Sequence, residues 1–200
     1  MITPRRTRAF TLIKLLTVIA IVAILSAIII PTVGGARKSA NRAAAKAQFN
    51  QWAAAIELYR QEYGFYPDIA PTGLVDPDRF SAELTGQNLA GVSVQGNSTW
   101  VNTKGLSFYA LATGDLDETG NELVDAFGNT EIAMRRDTNR DERINASDTG
   151  SWVSVDGAES AGLSPTTLPE AIPTTGVRAG VVFYSAGRGR DEIDMVLSWQ

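Results

Sequence analysis

From Ala9 to Ala36 the only charged residue is Lys14, and between Leu15 and Ile30 only Thr17 and Ser26 are not apolar. A helix rises about 1.5 Å per residue, so crossing a bilayer core takes about 20 apolar residues, which Phe10 to Ile30 provide. Arg5, Arg6 and Arg8 crowd in just before this run, and no acid appears before Glu57. By the positive-inside rule these arginines hold residues 1–9 in the cytoplasm, although Arg37, Lys38 and Arg42 follow on the far side. A cleaved secretory signal is the competing reading. Its apolar core is shorter and ends at a small-residue cleavage site, whereas this run passes into Pro31 and a further helical pattern.

Two hundred residues suit one globular domain plus an extension. The formal charge of -4 gives no globally basic surface for phosphate, so no nucleic-acid partner is expected. The chain has no cysteine and no histidine, which removes disulfides, Ser-His and Cys-His pairs and imidazole ligands. No convergent carboxylate constellation replaces them, so an enzyme is not expected. A chain that works outside the cytosol then needs some brace other than disulfides.

Beyond Gly34 and Gly35 the residues Ala45, Phe49, Trp52, Ile56, Tyr59 and Tyr63 recur in steps of four and three, one helical stripe. Gly64 is placed to stop that helix, and the stripe is read as core packed on a small sheet. Pro31 removes a backbone donor and predicts a kink or local melting. Residues 68–105, rich in Pro, Gly, Asp, Asn and Thr, read as a long loop with a short helix near Ser81–Leu84. Asp115, Asp117 and Glu118 read as a solvated turn, and Arg188 and Arg190 either as contacts to a phosphate or a partner's acid or as an exposed hairpin tip.

Asp137-Thr138-Asn139-Arg140-Asp141-Glu142-Arg143-Ile144-Asn145-Ala146-Ser147-Asp148 carries oxygen-bearing side chains at loop positions 1, 3, 5, 9 and 12, the spacing of a calcium loop. Asp137, Asn139, Asp141, Asn145 and Asp148, with the carbonyl of Arg143, form the candidate ligand set, and Ile144 is expected in the core. Calcium would supply the missing brace. Glu142 stands where glycine usually permits the sharp turn, and Asp148 is shorter than the usual glutamate; an acidic surface turn is the alternative.

Ala9-Phe10-Thr11-Leu12-Ile13-Lys14-Leu15-Leu16 resembles the prepilin signal shared by type IV pilins and type II secretion pseudopilins, Gly-Phe-Thr-Leu-Ile-Glu-Leu-Leu. The resemblance implies cleavage between Ala9 and Phe10 by a prepilin peptidase, methylation of the new N-terminus, and Pro31 at the family's usual distance from the cut. Ala9 replaces the usual glycine. Lys14 replaces a glutamate that, in the family, neutralises a neighbour's methylated amine, so repulsion would replace attraction. Lys14 then marks a minor or tip-like subunit, pairs with an acid on another pilin, or is tolerated by the filament; otherwise it snorkels to the headgroups.

Tyr59 to Pro67 resembles the pseudopilin "Y-x-x-x-x-G-x-Y-P" helix end. Glu122 to Asn129 resembles its "D-x-W-G-N" turn with Phe127 for tryptophan, and Gly180–Gly187 with Asp191–Asp194 its "Y-S-x-G … D-D-I" ending. The resemblance implies an α+β, pilin-like fold: leader 1–9, transmembrane half-helix 10–36, amphipathic half-helix 37–64, and a globular periplasmic or extracellular domain 65–200 with an antiparallel sheet and a C-terminal hairpin. It implies a single-pass protein of a bacterial inner membrane that enters a filament with other pilin-like subunits through an assembly platform. The later patches favour a type II secretion pseudopilin. A type IV pilus pilin serving adhesion, motility or DNA uptake, and a signal-anchored calcium-dependent binding module that keeps its leader, are the alternatives.

Overall fold

The computed structural model describes residues 12–168 and 170–200, so cleavage at Ala9–Phe10 lies outside the described residues. Helix α1, Leu12–Tyr63, is followed by a short α2, Pro77–Phe80, and by three strands, β1 Ile132–Arg136, β2 Val181–Ser185 and β3 Val196–Leu197. The chain divides after Ala40 into two units.

In the first unit the backbone is helical through Pro31, Gly34 and Gly35, so the expected local melting is absent. A proline leaves the preceding turn short of one hydrogen bond, and this helix carries that loss without breaking. Among the described residues no part of the apolar window is buried.

The second unit, from Asn41, holds the core. Ala45, Phe49, Trp52, Ile56 and Tyr59 are all buried, as the four-three spacing requires, while Tyr63 is half-buried. The helix ends where Gly64 adopts φ +83° and donates its N–H to Arg60 O at 2.8 Å.

The sheet is antiparallel in the order β1-β2-β3. Met134 lies opposite Phe183, and Tyr184 opposite Leu197. Successive side chains of a strand point to opposite faces. Ile132, Met134, Val181 and Phe183 therefore meet the α1 stripe, while Ala133, Tyr184 and Leu197 pack with Val155, Leu163 and Met195 from the connecting segments. With both faces covered, all five residues of β2 are buried, and Val181 to Tyr184 read as a continuous run instead of an alternating one before the polar Ser185. Phe183 stacks on Phe49 at 5.9 Å between centroids and meets Trp52 edge-on at 5.6 Å.

Helix α2 starts earlier than the sequence suggested. Asp76 caps it by accepting the Arg79 N–H at 3.0 Å, Pro77 takes the first helical position, and a π-helical turn, Ser81–Thr85, follows until Gly86 at φ +73°. The region around it is ordered by one buried acid. The Glu83 carboxylate accepts the N–H groups of Val101 and Asn102 and the Tyr59 hydroxyl, each at 2.9 Å. Asn102 in turn accepts the Tyr63 hydroxyl at 2.9 Å and donates to the carbonyl of Leu106 at 2.7 Å. Burial, and then the hydrogen bond to Glu83, push the Tyr59 phenol well above its ordinary range.

The acids 115–118 do not form one solvated turn. Asp115 is buried, accepting the Gln48 amide at 2.9 Å and the Tyr109 hydroxyl at 2.7 Å, and only Asp117 and Glu118 stay towards solvent. Gln48, a remote partner absent from the local pattern, helps draw Asp115 inward.

Candidate assembly helix and cation loop

The helix face that could serve assembly is Leu12 to Ile28, where Leu12, Ile13, Leu16, Ile19, Val22, Ile24 and Ile28 are all exposed. Lys14 is exposed among them, and its carbonyl accepts the Thr17 hydroxyl at 2.9 Å. A soluble protein does not leave such a stripe in water. A bilayer or a bundle of like helices would cover it.

Farther along, Arg42 donates to Met195 O at 2.8 Å and Ile193 O at 3.3 Å, and Lys46 to Gln200 O. Two helix cations thus hold the chain's final segment, a role that nothing local in the sequence signals.

The two later motifs meet. Asp125 accepts the N–H groups of Phe127 and Asn129 at 2.8 and 2.9 Å and the Ser185 hydroxyl at 2.6 Å, and the Asn129 amide donates to Asp125 at 3.0 Å and to Gly187 O at 2.6 Å. All three side chains are buried, so the "D-x-F-G-N" turn and the "Y-S-x-G" ending are halves of one junction. Gly187, at φ +61°, packs so near the Asp194 backbone that a Cβ would clash with it.

In the loop 137–148, Ile144 is buried and exchanges backbone hydrogen bonds with Val177 at 2.8 and 2.9 Å. The first and last acids are buried too. Asp137 accepts the N–H groups of Arg140 and Glu142 at 2.6 and 2.8 Å. Asp148 accepts those of Thr138 and Asn145 at 2.7 and 2.8 Å. Burial alone would raise the Asp148 pKa, but these donors outweigh it and hold the carboxyl below its usual range. Glu142 has φ +63° and Arg140 φ +65°, so the sharp turn forms at the anticipated position without glycine.

The remaining candidate ligands bond to one another: Asn139 and Asn145 donate to the same Asp141 oxygen at 3.1 and 3.3 Å. Arg143 turns its side chain to Thr175 O at 3.2 Å and its N–H to Asp141 at 2.9 Å. Among the described residues no group of three acids is arranged to hold a metal. A cation here would rely on Asp137, Asp141 and Asp148 together with the amide oxygens of Asn139 and Asn145 and the Arg143 carbonyl. Each is a hard oxygen donor of the kind calcium takes.

A long apolar N-terminal helix and a three-stranded antiparallel sheet packed on its later turns define an α+β, pilin-like architecture. Over 62 residues the chain is 44% identical to the type IV wide pilus major component PilA4 of Thermus thermophilus. The match covers 31% of this chain and 47% of that protein. It supports the pilin-like resemblance at the level of the family. No protein-family profile matches the chain, and no solved structure does.

Proposed function

We propose that the chain is a structural subunit of a pilin-like filament, held in a membrane by the Leu12–Ile28 helix until it assembles with other pilin-like subunits. The observation that carries this is the exposed apolar helix attached to a domain whose own core is complete. Filament formation would move that helix from lipid tails into a bundle of like helices, so no large hydrophobic penalty opposes the transfer. The role is mechanical and not enzymatic. A prepilin peptidase would cut before Phe10, and an inner-membrane platform would extract the subunit, leaving its globular domain on the periplasmic side.

Within that class the chain acts as a type II secretion pseudopilin, a reading supported by the junction of Asp125 and Asn129 with Ser185 and Gly187. A pilus subunit is the second reading, favoured by the likeness to a pilus component. Deleting the gene and imaging filaments by electron microscopy separates the two. Lost protein secretion with only short filaments supports the pseudopilin; lost surface pili and motility with secretion intact overturns it. The loop 137–148 binds calcium as a structural brace in either case.

A further inference from the structure

Arg135 on β1 is a buried cation with long hydrogen bonds. It is only 6% exposed. Its guanidinium lies 4.9 Å from the centre of the Trp152 ring. Its Nη2 reaches the carbonyls of Asn145 and Asp148 at 3.4 Å each, the long limit of hydrogen bonding, and among the described residues Nε and Nη1 have no acceptor. No carboxylate lies within ion-pair distance of it among the described residues. Asp148 acts on it through space but has both oxygens engaged by backbone N–H groups of the loop. Arg136, the next residue, shows what satisfaction looks like: it donates to Pro67 O at 2.8 Å and to Asp68 at 3.1 Å.

Arg135 and Trp152 border a cavity of about 410 Å³ whose other walls include Pro165, Leu168, Ile172 and Thr174. That volume falls among small-molecule sites, which run from roughly 300 to 1,000 Å³ and pair apolar walls with few polar groups. A buried cation with spare donors beside apolar walls matches one ligand chemistry. The planar guanidinium fork takes a carboxylate, and the walls take a compact hydrocarbon body. We propose that this pocket binds a small organic carboxylate with an apolar ring or branched body, Arg135 holding the carboxylate and the walls holding the body.

The proposal is independent of filament type. It is tested on the full chain in lipid nanodiscs, at fixed calcium concentration, by titrating tryptophan fluorescence with cyclohexanecarboxylate and with its neutral amide. The expected result is saturable binding of the carboxylate and affinity for the amide at least about tenfold weaker, since a charge-assisted pair is replaced by a neutral one. Thr174→Glu, at an exposed position on the rim, places a carboxylate at the pocket and should abolish the response. Arg135→Met should abolish it too; if that variant does not fold, the amide comparison and Thr174→Glu decide. No saturable response to the carboxylate, equal affinity for both probes, or an undiminished response in Thr174→Glu each overturns the assignment.

Discussion

Glu83 illustrates how one side chain orders a stretch with little regular structure. Its carboxylate meets three donors, two of them backbone N–H groups from the segment 101–102, and among the described residues no cation pairs with it. A satisfied buried carboxylate fixes the segment; an absent one leaves the donors without partners in a dry site. Glu83→Ala should therefore lower unfolding stability by about 2–4 kcal/mol, well beyond an ordinary surface change. Equilibrium urea unfolding reads this directly, and a loss as small as a surface substitution would remove Glu83 from that role. Asp117 is the more open counterpart. Hydrogen bonds from the Thr119 hydroxyl and the Glu122 N–H bring its pKa down to about 2. An unfolded chain returns it to roughly 3.9, so between these values the unfolded state binds more protons. Its contribution is complete above that upper value and fades as pH falls towards the lower one. An NMR titration of the Asp117 carboxyl should show a midpoint near 2, and one at the ordinary aspartate value would mean that the turn does not hold it.

At the scale of elements, what was legible in the sequence is what repeats locally. The stripe from Ala45 to Tyr59 announces its buried face because helical spacing is short-range, and Gly64 announces the stop because only a left-handed residue fits there. The start of α2 at Pro77 was legible in principle from Asp76-Pro77, but the polar composition around it concealed the cap. Asp115, Arg135 and the Glu83–Asn102 network were not legible, because their partners are remote in the chain. The loop 137–148 stands between these cases. Its spacing pointed to the buried Ile144 and to a sharp turn at the position of Glu142, yet Asn139, Asp141 and Asn145 bond among themselves. If the loop takes up calcium, Asp141 must exchange those amide donors for the ion, and folding and binding become linked. Calcium at about 100 times its dissociation constant should then add about 2.7 kcal/mol and raise the melting temperature of the detergent-solubilised chain. Asp141→Ala should remove that increment while leaving calcium-free stability nearly unchanged. A parent chain whose melting temperature ignores calcium would leave the loop as an acidic turn.

For the whole molecule, the decisive contrast is between a domain that satisfies itself and a helix that does not. The core around Phe49, Trp52 and Phe183 is closed within itself, whereas the apolar side chains from Leu12 to Ile28 are exposed among the described residues. Assembly is thus governed by what happens along the helix, where Lys14 is the single charge before Arg37 among the described residues. In a filament of identical subunits built as the family resemblance implies, that position would lie beside the amino terminus of a neighbour. Two cations in a medium of low dielectric repel far more strongly than in water. Lys14 would then limit self-assembly and suit the chain to a place where few copies stack on one another. Lys14→Glu should reverse the sign of that contact and lengthen filaments several-fold when the chain is the main subunit supplied. Electron microscopy of sheared filaments measures the outcome. Unchanged lengths would mean that Lys14 reaches the headgroups or an acid on another subunit, and that stacking is limited elsewhere on the helix.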